Sequence, residues 1–167
     1  IEEIAEMTRL ASALVINIGT LSPPWVEAME MAGREARNKG IPIVLDPVGS
    51  GATHYRTATA KRLIEVLRPT IIRGNASEIR SLVQAGSETK GVDSLATPDD
   101  VGDFAQALSE SADCVVSVSG PEDLIVKGRQ IARVANGVPL MVKVTGMGCT
   151  ASALTGAFAA ITSARAK

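Results

Sequence analysis

The chain has 167 residues, 46% of them hydrophobic, and this length suits one domain with a sizeable core. Lys and Arg total 17 against 18 Asp and Glu, with no basic cluster, which argues against nucleic acid or an anionic membrane as the main partner. Two cysteines make no disulfide framework and no apolar run reaches membrane-spanning length, so we expect a cytoplasmic protein in a reducing compartment.

Helical and strand patterns alternate through the first half of the chain. Apolar residues at helical spacing predict helices over residues 1–10, 22–40, 57–68 and 76–85. In the second of these, Ser22 is a predicted N-terminal cap, Pro23 and Pro24 suit the first turn, and Gly40 ends the helix. Short apolar runs predict buried strands over residues 13–18, 41–45 and 70–72.

The alternation continues in the second half. Residues 86–97 are polar and predict a surface loop, and helices are predicted over 98–111 and 151–164, the latter packed inside the domain. Buried strands are predicted over 114–118 and 140–144, and a hairpin at the sheet edge over 123–126 and 130–134. This order favours a mainly parallel sheet covered on both faces, in one α/β domain over residues 1–167. Because the chain opens inside a helical pattern without Met, we expect it to be the middle of a larger protein.

Each predicted strand outside the hairpin is followed by polar or glycine-rich residues. These segments are 17–19, 46–52, 73–78, 117–120 and 144–152. In open α/β sheets, ligands bind beyond the carboxyl ends of the strands. We therefore expect a binding site where these five segments converge.

The last segment, Val144 to Ser152, places two glycines and a cysteine between a predicted strand and a predicted helix. Free N–H groups at a helix N-terminus suit a phosphate or a developing negative charge, and Gly146 and Gly148 let an anion approach the backbone. The same position favours the thiolate form of Cys149. The alternatives are an ordinary strand-to-helix loop and a small buried cysteine.

Three stretches together resemble a known family: Asp46 to Thr53 (DPVGSGAT), Arg73 to Ile79 (RGNASEI) and Val144 to Cys149 (VTGMGC). Asn17 to Leu21 also fits. Over all 167 residues the chain resembles the ribokinase-like kinases and, because Cys149 stands where most of them have Asp, the hydroxyethylthiazole kinases among them. The resemblance implies a three-layer αβα fold with a mainly parallel central sheet. It also implies phosphorylation of 4-methyl-5-(2-hydroxyethyl)thiazole with ATP and Mg²⁺ in thiamine salvage, by a homotrimer with the thiazole at a subunit interface.

The resemblance also implies roles for the residues of the glycine turn. Cys149 would accept the alcohol proton or orient the hydroxyl group. Gly148 and the other backbone donors from Gly146 to Thr150 would form an anion hole for the transferring phosphate. Gly146 would also lie against the substrate.

Four further residues have implied roles at neighbouring strand ends. Arg73 would bind the ATP phosphates, Ser119 would lie near ATP, and Asp46 and Glu78 would hold Mg²⁺. The residues alone leave alternatives open. Arg73 suits a surface ion pair, Asp46 and Ser119 suit turns, and Glu78 suits a helix capping box with Asn75.

Two conspicuous residues are left without a role in the site. We expect His54 on the surface and Trp25 in the core or an interface. Two other functions stay open: a ribokinase-like kinase for another small alcohol, such as a hydroxymethylpyrimidine, and a non-catalytic fragment that only binds nucleotide.

Overall fold

The computed structural model describes residues 2–84 and 101–165. Within these ranges the strands form one mainly parallel sheet, as predicted, and they follow one another across it in chain order. They are β1 (Leu14–Asn17), β2 (Ile43–Asp46), β3 (Ile71–Asn75), β4 (Val115–Ser119), β5 (Asp123–Lys127) and β6 (Gln130–Val134). Strands β1 to β4 are parallel, and β5 and β6 form the predicted antiparallel hairpin at one edge.

Helices connect the parallel strands and follow the hairpin. They are α1 (Ile4–Leu10), α2 (Pro23–Lys39), α3 (His54–Leu67), α4 (Ala76–Gln84), α5 (Val101–Ala112) and α6 (Met147–Arg165), with a 3₁₀ helix over Pro139–Lys143. The loop predicted over 86–97 lies outside the described residues. In the described part of the chain, no helix is long and apolar enough to cross a membrane.

Local chemistry explains the ends of the first long helices. Gly40 ends α2 in the left-handed conformation (φ 71°), which glycine adopts without strain, as predicted. Ser22 is the N-cap residue of α2, but its side chain makes no capping hydrogen bond. Helix α3 begins three residues before the predicted start, because the Thr53 hydroxyl caps it by accepting from the Arg56 N–H.

The core lies on one face of the sheet. Ile16, Leu45, Ile72 and Val116 are fully or nearly fully buried and share this face, since side chains alternate along each strand and these four residues pair across it. Parallel strands are nearly always joined by right-handed crossovers, and in this strand order such crossovers put the connecting helices on one face. The buried aliphatic side chains of α2, α3, α4 and α5 complete the core.

The opposite face becomes polar toward the carboxyl ends of the strands. Asn17 pairs with Asp46 in the β1–β2 register, and the alternation of side chains places Arg73 on the same face. Helix α6 packs on this face with its small residues inward. A Cβ atom added at Gly156 would lie 2.4 Å from Val15 Cγ2, so the helix and the strand are in close contact.

Two predictions for the last part of the chain are wrong. Residues 140–144 form no strand: they belong mainly to the exposed 3₁₀ helix, and Val142 is 88% exposed. Pro139 suits the first helical turn, and the Met141 and Val144 N–H groups donate to carbonyls three residues back. Helix α6 starts four residues earlier than predicted, and its outer face is exposed rather than packed inside the domain.

The two conspicuous residues without a role in the site lie on the surface. His54 is exposed at the start of α3, as predicted. Trp25 is 59% exposed in the described part of the chain, so it is not a core residue.

Candidate active site

The glycine turn precedes α6 directly. Gly146 has φ 80°, the left-handed region that glycine favours. Two of the backbone donors predicted for the anion hole are used within the turn: Met147 N–H donates to Val144 O, and Thr150 N–H to Gly146 O. The N–H groups of Gly148 and Cys149 have no acceptor among the described residues. Of the predicted donors, Met147 and Thr150 are therefore occupied, and Gly148 and Cys149 are not.

Cys149 is exposed in the first turn of α6, so the alternative of a buried thiol is wrong. Its sulfur accepts a hydrogen bond from Asn17 Nδ2 at 3.4 Å. Cys114 shows the contrast, because it is buried and desolvation raises the pKa of its thiol to about 11. Of the two cysteines, Cys149 alone is exposed and near the strand ends.

Asp46 is the buried carboxylate of the site, with 4% of its surface exposed. Its Oδ2 atom accepts from Ser152 Oγ at 2.7 Å and from Asn17 Nδ2 at 2.9 Å. Burial raises the pKa of Asp46, and the negative charge of Glu78 raises it further. The hydrogen bonds and the positive charge of Arg73 oppose this shift only in part. The site therefore holds a carboxylate that lacks full compensation for its charge.

Arg73 links the sheet to the glycine turn. It lies within β3, and its Nη1 atom donates to Gly148 O at 3.1 Å and approaches Ser152 Oγ at 3.5 Å. Among the described residues Arg73 forms no ion pair within 4 Å, so the alternative of a surface ion pair is not observed. Its guanidinium group lies beside the turn, where a bound anion would meet it.

Glu78 forms the predicted capping box with Asn75. Glu78 Oε2 accepts from the Asn75 N–H at 2.8 Å, and Asn75 Oδ1 accepts from the Glu78 N–H at 2.9 Å. Glu78 Oε1 also accepts from the Gly49 N–H at 2.9 Å, which ties the loop after β2 to the start of α4. The same side chain lines an open groove of ≈ 660 Å³ between this loop and α4.

The carboxylates of Asp46 and Glu78 are the groups of this site that could hold a magnesium ion. They lie close enough for the charge of one to raise the pKa of the other. Within residues 2–84 and 101–165 no group of three or more His, Cys, Asp and Glu converges. Magnesium is commonly held by one or two carboxylates together with waters and phosphate oxygens. Asp46, whose buried charge is only partly compensated, supplies one such carboxylate. Glu78 supplies a second, whose two oxygens also accept backbone N–H bonds.

Ser119 lies at the end of β4, opposite Asn75 in the β3–β4 register. Its hydroxyl donates to Gly74 O at 3.3 Å. In the described part of the chain it makes no hydrogen bond to Arg73 or to the glycine turn. The structure therefore brings Asp46, Arg73 and Cys149 into one cluster. Asn17 contacts both Asp46 and Cys149, and Ser152 contacts both Asp46 and Arg73. Ser119 lies one strand away from Arg73.

Three residues of this network were given no individual role from the sequence. Asn17 and Ser152 join Asp46 to the glycine turn, and the position of Ser152, one helical turn after Cys149, was a usable signal for it. Arg56 donates to three carbonyl oxygens in the loops after β1 and β2, at Ile18, Gly19 and Val48. No local pattern marks Arg56, because its acceptors are all backbone atoms.

Solved structures with a similar architecture include kinases. The chain superposes on hydroxyethylthiazole kinase from Pyrococcus horikoshii OT3 with a TM-score of 0.85 and 38% identity, covering 96% of this chain and 59% of that one. Adenosine kinase from Sinorhizobium meliloti gives a TM-score of 0.61 at 20% identity, over 80% of this chain and 38% of that one, which supports the fold alone. The fold is that of the ribokinase-like kinases, as predicted.

Sequence comparison narrows the class to one family. The model of the hydroxyethylthiazole kinase family matches residues 1–167, and the chain belongs to that family. It is 54% identical over 163 residues to hydroxyethylthiazole kinase from Syntrophus aciditrophicus and 50% identical over 161 residues to that from Leptospira biflexa serovar Patoc. These alignments cover 97% and 96% of this chain but 60% of each relative, so the chain spans about three fifths of their length.

Proposed function

We propose that the protein represented by this chain transfers a phosphoryl group from ATP to the hydroxyl of 4-methyl-5-(2-hydroxyethyl)thiazole, in thiamine salvage. The observation that supports this most is the cluster of Cys149, Arg73 and Asp46 at the carboxyl ends of the strands, in a chain of this family. The choice of substrate rests on the relatives that are named hydroxyethylthiazole kinase.

To transfer a phosphoryl group, the site must position the two substrates and stabilise the negative charge of the moving group. Phosphoryl transfer spreads negative charge over the oxygens of the moving group. The free N–H groups of Gly148 and Cys149, at the N-terminus of α6, suit that charge. Arg73 adds a fixed positive charge beside the same turn.

The alcohol needs a group that accepts or orients its proton. Cys149 is exposed at the mouth of the turn and suits this role, since a thiolate at a helix N-terminus is stabilised. Gly146 has no side chain to hinder a substrate that approaches the backbone. We assign the substrate hydroxyl to the space between these two residues.

Asp46 and Glu78 would hold Mg²⁺, and Ser119 would lie near the nucleotide. The metal, when bound, neutralises phosphate charge. The raised pKa of Asp46 supports this assignment, because a nearby cation would relieve the cost of its buried charge. We also propose that residues 1–167 belong to one kinase domain and that the protein is a homotrimer, to be checked by analytical ultracentrifugation.

The test is ATP-dependent phosphorylation of hydroxyethylthiazole, followed by mass spectrometry of the product. The 167-residue chain is compared with a chain extended at both ends to the length of its relatives. Turnover by the extended chain supports the proposal, whether or not the shorter chain is active. Phosphorylation of a hydroxymethylpyrimidine but not of the thiazole would contradict the substrate assignment. Nucleotide binding without turnover of any alcohol by either chain would contradict the kinase assignment.

A further inference from the structure

The side-chain amide of Asn17 has a defined orientation. Its Oδ1 atom accepts from the Gly19 N–H at 2.8 Å, in the loop directly after β1. A backbone N–H can only donate, so the oxygen of the amide must face Gly19 and the nitrogen must face the other way. The hydrogen bond from the Gly19 N–H therefore fixes the direction in which Asn17 Nδ2 donates.

The nitrogen of that amide has two hydrogens and two acceptors. Asn17 Nδ2 donates to Asp46 Oδ2 at 2.9 Å and to Cys149 Sγ at 3.4 Å. The amide nitrogen has no acceptor capacity, so the sulfur must accept in this contact. An S–H hydrogen on Cys149 consequently points away from Asn17.

We propose that Asn17 is a positioning residue for Cys149, whose amide holds the sulfur as a hydrogen-bond acceptor at the mouth of the glycine turn. The proposal deepens the proposed function, because it concerns the group assigned to the substrate hydroxyl. A donated N–H stabilises a thiolate more than a thiol. Asn17 thus holds the sulfur as an acceptor and turns any S–H hydrogen toward the open side of the site.

Charged groups around the thiol act in both directions. On β2, Asp46 shares the Asn17 amide and opposes a thiolate, and on α4 the Glu78 carboxylate adds negative charge near Asp46. On β3, Arg73 donates to Gly148 O in the first turn of α6 and favours a thiolate. The Asn17 bond is the direct side-chain contact to the sulfur among the described residues.

The test measures alkylation of Cys149 by iodoacetamide between pH 6 and 10, on the whole 167-residue chain. The rate follows the thiolate fraction and needs no kinase activity. We expect Asn17→Ala to slow alkylation about threefold to tenfold near pH 7, the effect of losing one hydrogen bond to a charged group. At high pH, where both proteins react as thiolates, the variant should no longer be the slower one, because a hydrogen-bonded thiolate is the weaker nucleophile.

Ser152→Ala is the matched control. It removes the other hydrogen bond to Asp46 Oδ2 but leaves the contact between Asn17 and the sulfur. We expect its alkylation rate to stay within about twofold of the parent, or to rise if Asp46 binds a proton more readily. A loss equal to that of Asn17→Ala would overturn the proposal, because the effect would then come from Asp46. An unchanged rate in Asn17→Ala would overturn it as well.

Cys114 reports whether each variant is folded, since it is buried and should resist the reagent. If Asn17→Ala exposes Cys114, the similarly sized Asn17→Leu replaces it. This variant offers the sulfur no donor and adds no charge beside Asp46, so slower alkylation is again expected and the parent rate would overturn the proposal. If the kinase assay fails while the alkylation rates of the variants change as expected, the proposed function is rejected and the role of Asn17 in holding the sulfur stands.

Discussion

The packing of α6 on β1 predicts that the effect of Gly156→Ala on the free energy of unfolding depends on residue 15. The substitution should destabilise the parent, which has Val15, and stabilise a variant that has Ala at this position. The new Cβ atom would lie 2.4 Å from Val15 Cγ2 but 4.0 Å from Val15 Cβ. The first distance is a clash and the second an ordinary contact. Replacing Val15 by Ala removes the clashing methyl group and keeps the strand.

Two opposing terms set the size of the effect. Alanine in a helix interior is more favourable than glycine by about 1 kcal/mol. Overpacking costs about 1–3 kcal/mol, and Val15 cannot easily turn aside because β-branched side chains are restricted at χ1. We therefore expect Gly156→Ala to lower the free energy of unfolding by about 1 kcal/mol in the parent and to raise it by up to about 1 kcal/mol in the Val15→Ala background.

Urea denaturation followed by far-ultraviolet circular dichroism measures all four proteins of this cycle. Gly33→Ala in α2 is the control, because its Cβ would meet Leu67 Cδ2 at 2.2 Å and does not involve Val15. It should destabilise both backgrounds equally. A loss of the same size for Gly156→Ala in both backgrounds would refute the packing of α6 described above.

Three more predictions concern the site. Burial holds the folded-state pKa of Asp46 above its unfolded value, so its charge costs stability at neutral pH and the cost disappears as pH falls below about 4. Asp46→Asn should therefore be about 1 kcal/mol more stable than the parent at pH 7 in urea titrations, with the gap closing in acid; a gap independent of pH would contradict this. Glu78→Ala should lower the free energy of unfolding by about 1–2 kcal/mol in the same titrations, because the Gly49 and Asn75 N–H groups lose their charged acceptor. A variant as stable as the parent would contradict a stabilising role for these two hydrogen bonds. Cys149→Ala should slow phosphorylation about 10²-fold with ATP affinity little changed, and Cys149→Asp should keep activity; an alanine variant as fast as the parent would reject the proton-acceptor role.

The sequence predicted the sheet well where two signals agreed. Alternating strand and helix patterns, with glycine or proline at the ends, defined β1 to β4 and the helices between them within a few residues. The segment 140–144 shows the limit. Its apolar and β-branched residues favour a strand, but propensity alone does not supply a partner strand, and short-range hydrogen bonds after Pro139 give a 3₁₀ helix instead.

Only the residues at the ends of parallel strands could be placed in the site from the sequence. Strand ends in a parallel sheet must share one edge, which was enough to group Asp46 with Arg73. The glycine turn was grouped with them through a strand over 140–144 that the structure does not contain. The contact between Asn17 and Cys149 joins positions 132 residues apart, and its existence depends on how α6 settles on the sheet. A sequence pattern says nothing of that, because the spacing of two residues along the chain does not fix the rotation of a helix about its axis.

The attachment of α6 has a consequence for local opening. The helix carries Cys149 and Ser152, follows the exposed 139–143 segment, and contacts β1 and β2 through small residues. The core residues lie on the other face of the sheet, so detachment of α6 leaves that core in place. Amide hydrogen exchange in α6 should then follow a lower free energy than exchange in β2 or β3. The chain can lose the Cys149 thiol from the strand ends while most of its sheet remains folded.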